Sequence, residues 1–431
     1  MPSRSCPQSA THAGVAWCGL LAMLAAVSAF NFVQPLPDIA HVALIVMAAT
    51  ALGVFLPDLL WQRVQRRTLV VARARGNWPR TLTKFAGLLA SLGFVALLYW
   101  VFPEYYRPGA FYRNYWRALQ VLVPLWLVLA LPYLWWIDRR LEQPEDALWQ
   151  MGRLVLGRWR DVRPVVVGQY LLGWLVKGFF LPLMFTYFCN DLNRMLHYEP
   201  AAILTGFQGV YDFLYFSLYF IDVALVSMTY LMSLKLTDTH IRSTEPSMLG
   251  WVTAIVCYQP FWSHVSANYI QYERVPWTGW LAPLPGLYAL WGSLILLLVV
   301  VYVWATVSFG GRFSNLTHRG IITNGPYRYT KHPAYIAKNL SWWMLSMPFM
   351  ITDDGPAALR RCLLLGLLNV IYYLRAKTEE RHLALDPVYV EYAAWIDEHG
   401  VFRWLNRIPV IGAIARWRPT FAHRPLAWIW P

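Results

Sequence analysis

Two polar stretches interrupt an otherwise apolar chain. Gly325-Pro-Tyr-Arg-Tyr-Thr-Lys-His-Pro-Ala-Tyr335 gathers Tyr327, Arg328, Lys331, His332 and Tyr335, and Arg375-Ala-Lys-Thr-Glu-Glu380 follows after an apolar segment. That segment has about the length needed to cross a bilayer and return, which would bring His332 and Glu379 to one membrane face. Arg375 and Glu379 are four residues apart and share a face of a helix, with Glu380 about a quarter-turn away. Such a cluster at a membrane surface is costly to keep unless it binds something polar. Arg, Lys and the amides of a helix opening at Pro333 suit a carboxylate or phosphate. The Glu residues suit hydroxyls or a cation. The plainer alternative, helix-end anchors and a surface ion pair, is what composition alone favours.

The elements that must position this cluster are membrane helices. Hydrophobic residues make up 58% of the 431-residue chain and charged residues 14%, against roughly a quarter charged in soluble domains. The chain therefore reads as an integral membrane protein. Its 24 Trp and 25 Tyr suit the aromatic belts at bilayer interfaces. The net charge of +14 lies in short loops and forms no compact basic domain. That argues against nucleic acid as a partner and for anionic lipid headgroups. The cysteines Cys6, Cys18, Cys189, Cys257 and Cys362 show no CxxC or ligand spacing and read as packing residues. The run from Gly14 to Val33 lacks a strong basic segment before it, is too long for a cleaved signal, and reads as a retained span.

Apolar runs near the roughly 20 residues needed to cross occur at about 14–34, 39–60, 83–103, 117–137, 164–188, 207–235, 249–270 and 286–309. Shorter runs at about 336–352 and 358–376 are split by Thr352-Asp-Asp-Gly-Pro356, a turn signal. The fold class expected is an all-α polytopic membrane bundle of about ten helices. Arg63, Arg66, Arg67, Arg73, Arg75, Arg80 and Lys84 follow the second run, and Arg139, Arg140, Arg153, Arg158, Arg160 and Arg163 follow the fourth. The loops at 190–200 and 271–285 carry one Arg each. Basic loops stay cytoplasmic, which places both termini and the polar cluster on the cytoplasmic face. Arg107 and Arg113 run against this pattern. The stretch Leu148–Leu156 reads as an interfacial amphipathic helix or a solvated loop. The chain divides into a bundle, 1–285, of unassigned role and a C-terminal unit, 286–431, that carries the cluster.

The order of residues in His318–Asn339 and Arg375–Trp395 resembles the catalytic region of the isoprenylcysteine carboxyl methyltransferase family. Its superfamily includes membrane phospholipid methyltransferases, and its members use S-adenosylmethionine. The family's His before Gly-x-Tyr is filled by His318, Gly325 and Tyr327, and its Arg-His-Pro-x-Tyr by Lys331, His332, Pro333 and Tyr335. Its Arg-x-x-x-Glu-Glu is filled by Arg375, Glu379 and Glu380, and the Tyr-x-x-Tyr tail by Tyr389 and Tyr392. Ala337 stands for the motif glycine, Lys331 for the usual Arg, and the spacing from His318 to Tyr327 is one residue longer than usual. The resemblance implies that His318, Tyr327, His332, Pro333, Tyr335 and Glu379 bind the cofactor and that Arg375 orients the methyl acceptor.

The expected activity is methyl transfer from S-adenosylmethionine to a lipid-linked or amphiphilic acceptor, such as the carboxylate of an isoprenylcysteine-like substrate. A sulfonium methyl is already electrophilic, so alignment and exclusion of water carry the catalysis and no metal is needed. A phospholipid amine or small thiol is an alternative acceptor; it must lose a proton, with Glu380 or His382 the nearest base. Membrane sterol reductases that bind NADPH carry a similar His-Pro-x-Tyr, but their upstream Gly-Arg-Glu-Leu-Asn-Pro-type motif is not found here. A non-enzymatic transporter or scaffold would instead use Lys177, Asp222 and His264. The first two are read as a buried ion pair locking two helices together.

Overall fold

A computed structural model of the chain describes residues 5–70, 76–265, 276–350, 354–409, 412 and 414. Arg73, Arg75, the stretch 266–275 and the turn residues Thr352 and Asp353 lie outside the described residues. The helices in order are α1 (Ala13–Phe30), α2 (Ile39–Leu60), α3 (Trp78–Val101), the short α4 (Pro103–Tyr106) and α5 (Arg113–Asp138). Next come α6 (Ala147–Val155), α7 (Pro164–Leu196), α8 (Phe207–Leu231), α9 (Met248–Ile255), α10 (Phe261–Val265) and α11 (Trp277–Leu281). The last four are α12 (Pro285–Ser308), α13 (Pro333–Ser346), α14 (Gly355–Leu383) and α15 (Pro387–His399). Among the described residues the only sheet is a two-stranded antiparallel ribbon, β1 (Ser243–Thr244) against β2 (Thr317–His318).

Among the described residues eight helices are long and apolar enough to cross a membrane: α1, α2, α3, α5, α7, α8, α12 and α14. The protein is an all-α polytopic integral membrane bundle. Side-chain caps open several of them. Asp38 accepts a hydrogen bond from Ala40 N, Asn77 from Arg80 N and Asp354 from Ala357 N. Pro285 opens α12 and Pro333 opens α13, where a missing amide costs nothing.

Among the described residues eight helices have the length and apolarity of a span, against about ten expected, and the two remaining runs differ for local reasons. The run at 249–270 does not form one helix. α9 ends at Ile255, a turn holding Pro260 follows, and α10 adds one short turn. Proline within such a run removes an amide donor and clashes with the preceding turn. The run at 336–352 is α13, whose 14 residues span about 21 Å, short of a hydrocarbon core of about 30 Å. It stops at Met347, which takes a left-handed conformation at φ 40°, immediately before Pro348.

The broken segments still return the chain across the bundle. Phe207 at the start of α8 packs edge-on against Tyr288 at the start of α12, 5.9 Å between ring centres. Farther along, Tyr302 and Thr306 on α12 donate to Asp222 on α8, so the two helices run in the same direction. The Asp222 bonds, 2.6 Å from Tyr302 and 2.5 Å from Thr306, also overturn the expected Lys177–Asp222 pair. Lys177 Nζ instead lies over the Trp174 ring at 5.3 Å. His264 is exposed on α10. The stretch Leu148–Leu156 does form a helix, α6, with one face packed on α3, where a Cβ on Gly152 would overlap the Thr83 carbonyl, and with Val155 exposed.

Contacts cross residue 285 freely. The largest apolar core joins α1, α2, α7 and α8 to α12. Arg319, just after β2, is fully buried and donates to Thr239 O, Thr229 O, Phe313 O and Met232 O at 2.6 to 2.9 Å. It therefore ties the end of α8 to the chain leaving α12. The N-terminal segment lies on the same surface: Ala10 N donates to Ile321 O, and Thr323 Oγ1 donates to Pro7 O.

Candidate functional site

α13 and α14 form the hairpin that the two motifs require. The start of α13 meets the end of α14, and Asn339 and Asn369 bond across the pair farther in. Trp343 Nε1 adds a hydrogen bond of 2.7 Å to Asn369 Oδ1. α12 packs antiparallel on α13, with Trp291 Nε1 donating to Met344 O at 3.0 Å. Between α12, α13, α14 and the chain at α9–α10 lies a cleft with about 950 Å³ of atom-free space, counted to its open mouth.

The sequence-predicted residues fall around this cleft in two groups. Tyr327, His332, Tyr335, Arg375 and Glu379 line it. Tyr335 donates to Glu379 Oε2 at 2.8 Å, and the His332 ring stacks on Tyr335 with centres 5.5 Å apart and planes 4° from parallel. Tyr327 is packed edge-on to Phe309, and its carbonyl accepts from Tyr392 at 2.6 Å. Burial, reinforced by the charge of Glu379, pushes the Tyr327 phenol well above its ordinary range, so it stays a neutral donor. The preceding Gly325 has φ 56°, and a Cβ there would overlap Ser308 Oγ. The Gly-Pro-Tyr motif thus needs glycine for both conformation and close approach.

Arg375 is buried inside an aromatic collar. Its guanidinium lies 5.2 Å from the Tyr335 ring centre and 5.7 Å from those of Tyr258 and Tyr372. Asn315 Oδ1 accepts from its Nη2, and no carboxylate pairs with it among the described residues. Cation–π contacts and one amide oxygen stabilise the charge without neutralising it. An anion arriving in the cleft meets an uncompensated, preorganised donor.

Three predicted residues stand elsewhere. Pro333 is buried at the first position of α13 and sets the turn that presents His332 and Tyr335. His318 does not face the cleft. Neighbouring residues of a strand point to opposite faces, and in β2 Thr317 takes the cleft side while His318 turns to Asp386, 3.2 Å away. Burial and the nearby Arg242 charge press the His318 pKa down to about 4, only partly opposed by Asp386. Glu380 is engaged at both oxygens. His332 Nε2 lies 3.0 Å and Lys331 Nζ 3.6 Å from Oε1, and Lys377 Nζ lies 3.2 Å from Oε2. A carboxylate so held is a poor proton acceptor and a good anchor, so the expected role as base does not suit this geometry. His382, the other proposed base, is bonded to Ser243 at 2.8 Å.

Several residues were not found from sequence. Tyr258, Asn315, Tyr302 and Lys338 line the cleft, with Lys338 Nζ over the Tyr302 ring at 5.1 Å and over Trp342 at 5.4 Å. Glu245 and Thr317, at the ribbon, line it as well. Asn315 carried a usable signal as an amide in the short loop after a span. Tyr258 and Glu245 carried none, because only the tertiary fold brings that connection to the hairpin.

No curated protein and no solved structure matches the chain. The segment that supplies α12, α13 and α14 does have a match. Residues 288–385 fit the family model of the isoprenylcysteine carboxyl methyltransferase (ICMT) family, which is where the His332, Arg375 and Glu379 constellation lies.

Proposed function

We propose that the protein is a membrane methyltransferase that takes S-adenosylmethionine as donor and methylates a carboxylate on a lipid-linked or amphiphilic acceptor. The observation that carries this reading is Arg375, an unneutralised guanidinium inside the cleft, one helical turn inward from Glu379. Family likeness over residues 288–385 supports a methyltransferase of the isoprenylcysteine kind.

The cleft fits the donor's chemistry. Tyr327 and the stacked His332–Tyr335 pair offer aromatic faces, Glu379 accepts hydrogen bonds, and Lys331 with the first turn of α13 favours a carboxylate. When bound, S-adenosylmethionine supplies an electrophilic methyl group and a neutral thioether leaving group. The chain's own part is orientation. Arg375 holds the acceptor carboxylate, with the tail lying toward Tyr302 and Tyr372 in the apolar interior. Glu379 and Tyr335 hold the donor side, and the collar of rings keeps water out. A carboxylate acceptor gives up no proton, so no base is required. Glu380 acts as a positioning residue that fixes His332. Residues 286–431 carry most of the chemistry, and residues 1–285 brace it and lend Tyr258 to the collar; both termini and the cleft mouth face the cytoplasm.

The test is binding of S-adenosylmethionine to detergent-purified protein, with NADPH and a Glu379→Gln variant beside it. Saturable binding of the methyl donor that the variant loses supports the reading. Binding of NADPH alone overturns it in favour of a reductase. With a radiolabelled donor and prenylcysteine-type acceptors, a base-labile product marks a carboxyl ester; a base-stable one marks an amine or thiol acceptor.

A further inference from the structure

Glu245 belongs to the connection between α8 and α9, outside the segment that matches the methyltransferase family. It is 2% exposed and lines the cleft. Its Oε1 is fully used, accepting from Arg381 Nη2 at 2.9 Å and from Ser247 N at 2.9 Å. Its Oε2 is buried and has no hydrogen-bond partner among the described residues. Thr317 Oγ1 lines the same cleft and is likewise buried without a partner. The two are brought together by the ribbon: Thr244 pairs with Thr317, and Glu245 N donates to Leu316 O at 2.7 Å.

A buried carboxylate oxygen with no donor is costly, more so than a neutral group in the same position. Each of these two cleft-lining residues leaves an oxygen that an incoming N–H or O–H group can complete. The ribbon lies where α8 and α12 end, α13 begins and α14 finishes, so this wall is at the membrane surface, away from the apolar interior. A ligand rich in donors and soluble in water reaches it; a lipid tail does not.

We infer that Glu245 and Thr317 form a hydrogen-bond-accepting subsite for the amine or hydroxyl groups of the methyl donor, so that the bundle outside the family-matched segment contributes directly to cofactor binding. The inference rests on the proposed methyltransferase reading. Ser243, through its bond to His382, and Arg381, through Oε1, hold the ribbon against α14 and fix the subsite.

The experiment is calorimetric titration of S-adenosylmethionine and S-adenosylhomocysteine into wild type, Glu245→Gln, Thr317→Val and Arg381→Met proteins, each checked for a wild-type melting curve. Loss of a hydrogen bond to a charged acceptor weakens binding about tenfold to a hundredfold in Glu245→Gln, and loss of a neutral one several-fold in Thr317→Val. Arg381→Met tests whether Glu245 matters only as an ion-pair partner. If it reproduces the Glu245→Gln loss while Thr317→Val binds normally, Glu245 is structural and the inference fails. Wild-type affinity in both Glu245→Gln and Thr317→Val also overturns it, with the methyltransferase reading intact. Absence of binding by wild type overturns the methyltransferase reading itself.

Discussion

Tyr335 donates its hydroxyl to Glu379 Oε2 at 2.8 Å across 44 residues of sequence, joining the two polar motifs at the mouth of a membrane hairpin. The bond leaves one Glu379 oxygen for a ligand. It also sets the ring of Tyr335 between His332 and the Arg375 guanidinium. Donor-side and acceptor-side residues are thus locked into one unit.

That coupling separates two variants. Arg375→Lys keeps a charge but loses the planar pair of donors, and it is expected to raise the acceptor KM or lower kcat/KM by about 30-fold or more while donor binding changes little. Glu379→Gln is expected to weaken donor binding about tenfold or more. Titration of the donor into both proteins, beside acceptor kinetics, checks the split; equal loss of donor binding in both would refute separate roles.

Glu380 is expected to show the pattern of a positioning residue. Glu380→Gln keeps a hydrogen-bond acceptor for His332 but removes the charge shared with Lys331 and Lys377. If Glu380 were a general base, its loss would remove a pH-dependent limb of kcat. The expectation is a lower kcat/KM with an unchanged pH profile.

The membrane interior offers a stability test. Asp222→Ala leaves the Tyr302 and Thr306 hydroxyls without their acceptor and is expected to cost about 1–3 kcal/mol. Lys177→Met removes a charge that makes no ion pair with Asp222, and it is expected to be neutral or stabilising. The double variant should show additive melting shifts in detergent; a coupling above about 0.5 kcal/mol would restore the Lys177–Asp222 pair.

Acid sensitivity is expected from two histidines outside the spans. Burial, with Lys235 nearby, presses His240 down to about 4, as burial and Arg242 do for His318. Both are neutral in the folded protein and take up a proton more readily when unfolded. Their contribution is present above the unfolded value of about 6.5 and is lost as pH falls through that value toward about 4. Melting curves measured between about pH 7 and about pH 4 should fall, and His240→Gln with His318→Gln should flatten the fall. A slope unchanged in the double variant would assign it elsewhere.

Orientation is testable by accessibility. Gly355 and Arg328 are both exposed, at opposite ends of the α13–α14 hairpin. A membrane-impermeant thiol reagent is expected to reach Gly355→Cys from outside only and Arg328→Cys from the cytoplasmic side only, in a chain cleared of its other cysteines. The reverse pattern would invert the topology.

The sequence alone determined what one-dimensional physics controls. Long apolar runs with few charges must become helices in lipid, because no other local structure satisfies their backbone, and among the described residues eight of them do. The hairpin was legible too, because two polar motifs separated by an apolar stretch of suitable length have one way to meet. Hydrophobicity could not decide where a run is interrupted. Pro260 and the left-handed Met347 ended two apolar runs whose composition still suited a span. Nor could periodicity decide which member of a polar pair faces the ligand. On β2 the pleat gave Thr317 to the cleft and His318 to Asp386, and on α14 one step of helix gave Glu379 to the cleft and Glu380 to its cations. Glu245 and Tyr258 reach the site only because α8 and α12 run in the same direction and the chain between them must fold back over the hairpin. That placement is a property of packing between distant segments, and no local spacing encodes it.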